Sequence, residues 1–104
     1  MVTNAELQGM YHTFNKKWFG NRLPKDMVVC FLKLSGCSGM TSFYRNRSLY
    51  IHLNVNLRID RSATAMTLLH EMVHVALPYG VAHSSKFHRR MLRLAKQGAF
   101  KKWW

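Results

Sequence analysis

Thr67-Leu68-Leu69-His70-Glu71-Met72-Val73-His74-Val75-Ala76-Leu77 constrains this chain more than any other stretch. Read as a helix, it places residues four apart one turn above each other on the same face. His70 and His74 then offer two imidazole nitrogens to one metal ion. Glu71 lies about 100° round the helix from His70, close enough to reach a water at that metal without having to ligate it. Two histidine ligands beside a carboxylate base form the donor set of metal-assisted hydrolysis. The plainer reading is a helix with two surface histidines. The flanking residues are nearly all apolar, however, so a buried, charged Glu71 would need a partner.

A catalytic zinc takes three protein ligands and keeps one position open. No Asp or Glu follows Glu71, which rules out a downstream carboxylate ligand. Gly80 stands where a histidine six residues after His74 would be needed for one common spacing. His83 and His88 remain. Pro78 and Gly80 turn the chain back, and His83 sits just before the last helix, where a loop can carry it to the metal. A histidine beside a helix N-terminus also tends to stay neutral, as a ligand must. His88 lies inside that helix, farther from the turn. The expected cofactor is one catalytic Zn2+ on His70, His74 and His83.

The rest of the chain reads as an α+β domain. Thr3-x-x-Glu6 is a capping box opening a helix to about Phe19, with Leu7, Met10, Tyr11, Phe14 and Trp18 on one apolar stripe. Gly20 stops it, and Leu23-Pro24 marks the exit. Met27 to Leu34, Met40 to Arg45 and Leu49 to Val55 read as strands, the last with Leu49, Ile51, Leu53 and Val55 inward. Short turns between them predict a three-stranded antiparallel meander. Ser62 or Thr64 is the expected cap of the metal-binding helix, and Pro78 ends it. Ser84 or Ser85 opens a final helix to about Gln97, with Phe87, Met91, Leu94 and Ala95 inward. At 104 residues and 48% apolar content, one folded domain spanning 1–104 is expected, and disorder is excluded. A monomer is expected.

Charge bears on partners. Sixteen Lys and Arg oppose four acids (Glu6, Asp26, Asp60 and Glu71), for a formal charge of +12. That exceeds what solubility requires and points to a polyanion, most often nucleic acid. A generic basic surface or an anionic membrane competes, but no amphipathic membrane helix or lipidation motif is present. Lys86, Arg89 and Arg90 occupy the first two turns of the last helix, where the positive helix end disfavours cations. An external phosphate would account for them. Arg93, Lys96, Lys101 and Lys102 extend the set. Trp103 and Trp104 can stack on exposed bases; core packing or a frayed tail explains them equally well. The expected partner is DNA, single-stranded or damaged, bound without sequence specificity. Met27 to Leu32, the longest apolar run, is far too short to span a bilayer, and no signal peptide opens the chain. A cytoplasmic protein is expected (nuclear in a eukaryotic cell), with Cys30 and Cys37 reduced.

Four segments together resemble the SprT-like metallopeptidase domain, the family of the Spartan-type proteases. They are Phe14-Asn15…Phe19-Gly20-Asn21-Arg22-Leu23-Pro24 after the first helix, the strand Tyr50-Ile51-His52-Leu53-Asn54, the motif Thr67 to His74, and His83-Ser84-Ser85-Lys86-Phe87. Ser84 stands where the family usually has glycine. The family's four-cysteine zinc ribbon has no counterpart, so the likeness is to a minimal version. The resemblance implies a small zincin-like α+β fold, zinc on His70, His74 and His83, and Glu71 as catalytic acid/base. It also implies a protease acting on DNA-bound or DNA-crosslinked proteins. Tyr79, Tyr50 and His88 are candidates to stabilise the oxyanion, and a strand edge could hold substrate by strand addition. A nucleic-acid-binding module with structural zinc, or a proteolytically inactive zincin fold, is the alternative.

Overall fold

In a computed structural model of the chain, the described residues are 1–44, 47–77 and 85–101. Helix α1 spans Asn4–Trp18 and opens on the expected capping box: Thr3 accepts from the Glu6 amide, and the Glu6 carboxylate accepts from the Thr3 amide. Leu7, Tyr11 and Phe14 are buried along its inner face. Its exit is organised by Asn15, whose side chain is fully buried. The Asn15 amide donates to Leu23 O (3.1 Å) and its Oδ1 accepts from Leu23 N (3.0 Å). Gly20 and Asn21 both take left-handed φ, 60° and 62°, to make the reversal.

Strands β1 (Val28–Leu32), β2 (Gly39–Tyr44) and β3 (Arg47–Asn54) form one sheet in the order β1-β3-β2. The sheet is mixed: β2 runs antiparallel to β3, but β1 runs parallel to it. The expected antiparallel meander is therefore wrong. Alternation fixes which face a side chain takes but says nothing about which strand lies alongside. Here the connector after β1 skips one strand position, and β3 fills the gap. Asn54, at the end of β3, ties that connector down. Its side chain donates to Leu34 O and Cys37 O, both at 3.0 Å, and its amide to Ser38 O at 2.8 Å.

Val29, Phe31, Ile51 and Leu53 form the buried face of the sheet, while Val28, Leu32 and Tyr50 stand exposed on the other. Val55, expected inward, begins a 3-10 helix (Val55–Ile59) and is exposed. The outer edge of β1 is closed by helix side chains. Phe31 N donates to Asn4 Oδ1 and Val29 N to Gln8 Oε1. Those acceptors satisfy amides that a bare edge would leave to another chain. β2 forms the other edge.

Helix α2 spans Arg61–Ala76, and its cap is Asp60 rather than Ser62 or Thr64. Asp60 Oδ1 accepts from Ala63 N at 3.0 Å, whereas the buried Thr64 hydroxyl donates back to Leu57 O. Helix α3 spans Ser85–Lys96. Gly98, at φ 89°, closes it, and Ala99 N reaches back to Leu94 O at 3.0 Å, a Schellman-type stop. That reversal folds Ala99 and Phe100 into the core. Among the described residues no helix is long and apolar enough to cross a membrane.

Candidate metal centre

α2 lies against β2 and β3 on one side and α3 on the other. Its inner face buries Leu68, Leu69, Met72 and Val73, which leaves His70 and His74 half-buried at the mouth of a cleft. The two imidazoles sit with ring centroids 5.0 Å apart and planes at 72°. Phe87, from the first turn of α3 and nearly inaccessible to solvent, packs against both, 4.9 Å from His70 and 4.5 Å from His74. An aromatic wall of this kind limits the rotamers of the two rings.

Glu71 lies beside them, between the histidines and the edge strand, and is 5% exposed. The partner it needs comes from the edge strand: Thr41 Oγ1 donates to Glu71 Oε1 at 2.8 Å. Oε2 lies 4.0 Å from His70 Nε2. Gly39 gives the carboxylate room, since a Cβ there would meet Glu71 Cγ and Oε2 at 3.0 Å. One ligand atom from each of His70, Glu71 and His74 falls within 4.8 Å of the others, so the group can hold a metal ion. Nitrogen and carboxylate donors in this number suit zinc.

The family model described as the SprT-like family matches residues 7–102. The chain belongs to the SprT-like family. No curated protein and no solved structure matches it. In this SprT-like chain the match takes in both helices that frame the cleft and the whole sheet.

The cleft, about 1030 Å³, opens between β2, α2 and α3, and Met40, Met66, Met91, Leu92 and Phe100 give it largely apolar walls. His88 also lines it, exposed on α3. Tyr50 stands instead on the open face of the sheet, stacked on His52 with ring centroids 5.7 Å apart. His83 and Tyr79 lie outside the described residues, as do Lys102, Trp103 and Trp104.

The remaining cations have an order that composition alone did not reveal. At about 100° per residue, Lys86, Arg89, Arg90, Arg93 and Lys96 fall on one side of α3. Phe87 and Leu94 face the core, and His88, Met91, Leu92 and Ala95 face the cleft. Lys86, Arg89, Arg93, Lys96 and Lys101 are exposed, and Arg90 is half-buried. Thr41, Gly39 and Phe87 were not singled out from the sequence for these roles. Their part follows from strand pairing and helix docking, and no local pattern signals it.

Proposed function

We propose that this SprT-like chain is a zinc-dependent metalloendopeptidase that binds DNA and cleaves proteins associated with it or crosslinked to it. The observation that carries the catalytic half is a carboxylate held by Thr41 beside two imidazoles that converge on one point. In this reading His70, His74 and His83 hold the zinc. When bound, the metal supplies Lewis acidity, making water a better nucleophile and the scissile carbonyl a better electrophile.

The chain's own groups do the rest. Glu71 accepts the proton of the attacking water and delivers it to the leaving amine. The Thr41 hydroxyl fixes one carboxylate oxygen, so the other keeps its aim through both transfers. Phe87 keeps the histidine rings from turning away. β2 borders the cleft, and among the described residues no strand pairs with its outer edge. A substrate backbone can therefore be aligned there as an added strand. His88, a cleft side chain outside the metal-binding pair, has an N–H to offer the oxyanion.

The cation face of α3 supports the DNA half, because it carries no acid and turns away from the cleft. A protein substrate and a nucleic acid can then be held on different sides of one helix. Cleavage of a protein crosslinked to a single-stranded oligonucleotide tests the whole reading. It should stop on chelation and return with added zinc, and oligonucleotide affinity should fall steeply with salt. Zinc binding without cleavage would favour a structural zinc or an inactive zincin fold. A flat salt response would remove the DNA half.

A further inference from the structure

Behind α3, away from the metal cleft, lies a second cavity of about 480 Å³. The α1 exit loop, the end of α2 and α3 enclose it, and three arginines line it: Arg22, Arg90 and Arg93. Leu23, Val75 and Leu77 supply apolar wall. We propose that Arg22, Arg90 and Arg93 together form a binding site for a phosphate group.

The charge pattern argues for a ligand. Among the described residues none of the three guanidinium groups is in an ion pair or donates to a protein acceptor. Three of the four acids are engaged elsewhere, Glu6 with Arg61, Asp60 at the α2 cap and Glu71 at the metal centre, and the fourth, Asp26, does not line the cavity. Arg90 is held below the usual guanidinium range by burial, then by the nearby charges of Arg93 and Arg22. Arg90 is half-buried while Arg22 and Arg93 are exposed, and three like charges around one partly apolar hollow repel one another. A chain shaped only for stability would place a carboxylate among them.

The geometry is prepared as well. The Arg90 guanidinium sits over the Phe19 ring, 5.2 Å from its centroid, a cation–π contact that orients the group before any ligand arrives. Arg22 follows the left-handed Gly20, where a Cβ would meet its Nε at 3.6 Å. Its stem therefore lies across the bare glycine. Guanidinium forks match the oxygens of a phosphate pairwise. Three of them from two elements can grip one group on several sides.

The site deepens the DNA half of the function proposed above, and rests on that half only for where the phosphate comes from. Inorganic phosphate and a nucleic-acid phosphodiester present the same oxygens. α3 would then be shared: its cleft face serves the metal centre, and its opposite face reads an anion.

Titration of the full-length 15N-labelled chain with inorganic phosphate, at constant ionic strength in chloride, is the test. The Nε–Hε resonances of Arg22, Arg90 and Arg93 should shift together and saturate. Arg22→Gln and Arg93→Gln should each weaken phosphate binding by roughly tenfold, the worth of one charge-assisted hydrogen bond. Lys16→Gln, an exposed charge on α1, should leave it unchanged. Arg93 is exposed, so its variant keeps the test valid if Arg22→Gln fails to fold. Shifts that never saturate, or that spread evenly over all cations, would overturn the site. In a parallel arm, Arg93→Gln should lower the salt slope of single-stranded oligonucleotide binding by about one if a phosphodiester is the occupant. An unchanged slope with phosphate binding intact would identify the occupant as free phosphate. Neither arm depends on proteolysis, so failure here and failure of the protease reading are separable.

Discussion

Thr41 on the edge strand and Glu71 on the metal helix are joined by a 2.8 Å hydrogen bond, hydroxyl to carboxylate. The bond links the strand beside which a substrate would lie to the group that would move its protons. Thr41→Val keeps the shape of the side chain and removes the donor. Turnover should fall about tenfold, given about 1.5–3 kcal/mol for a hydrogen bond to a charged group. Zinc content, measured by metal analysis, should stay at the wild-type level. Unchanged turnover would show that Glu71 needs no such anchor.

Gly39→Ala attacks the same carboxylate from the other side. The new methyl would stand 3.0 Å from Glu71 Cγ and Oε2, so the side chain must shift. Activity should drop while the melting temperature changes little, because the atoms displaced end a side chain. Gly9→Ala provides the contrast, since nothing lies within 4 Å of its Cβ on α1. It should raise stability by about 0.5–1 kcal/mol through helix propensity and leave activity alone.

Asn15 is the hinge of the loop that carries Arg22. Both polar atoms of its buried amide are used on Leu23. Asn15→Ala strands a buried carbonyl and a buried N–H, at about 1–3 kcal/mol each. Denaturant unfolding should show a loss within the sum of those terms.

Tyr11 gives the fold an alkaline limit. Burial, then the nearby Asp26 charge, pushes its phenol up to about 12 from an ordinary value of 10.0. The folded state holds the proton more tightly than the unfolded state. Its contribution to stability is complete below pH 10 and is lost as pH rises through 12. Tyr11→Phe forfeits the bond to Pro24 O, yet it should lose less stability than wild type over that interval. Parallel alkaline melting curves for the two proteins would contradict the assignment.

Local signals in the sequence were readable where a few neighbouring residues decide the outcome. Thr3 and Glu6 define a helix start because both halves of the capping box lie within four residues. Ile51 and Leu53 show their buried face by alternation. His70, Glu71 and His74 come together through helix geometry alone. What stayed hidden depends on partners distant in sequence. The parallel pairing of β1 with β3 rests on the arch that Asn54 secures, and β-propensity is the same for either neighbour. Asp60 outcompetes Ser62 because Thr64 must be buried against Leu57, which fixes where the helix begins. Nothing near Arg22 in the sequence ties its charge to the last helix. Only the docking of α3 sets Arg90 and Arg93 beside it.

The central claim is that Glu71 moves protons while the histidines hold the metal. Glu71→Gln, with zinc stoichiometry and peptide-bond cleavage measured on the same preparation, tests it most directly. The expected result is one zinc per chain in both proteins, with cleavage reduced at least about a hundredfold in the variant, the lower range for a lost general base. Equal cleavage by the two proteins, or a wild-type chain that takes up no zinc, would contradict it.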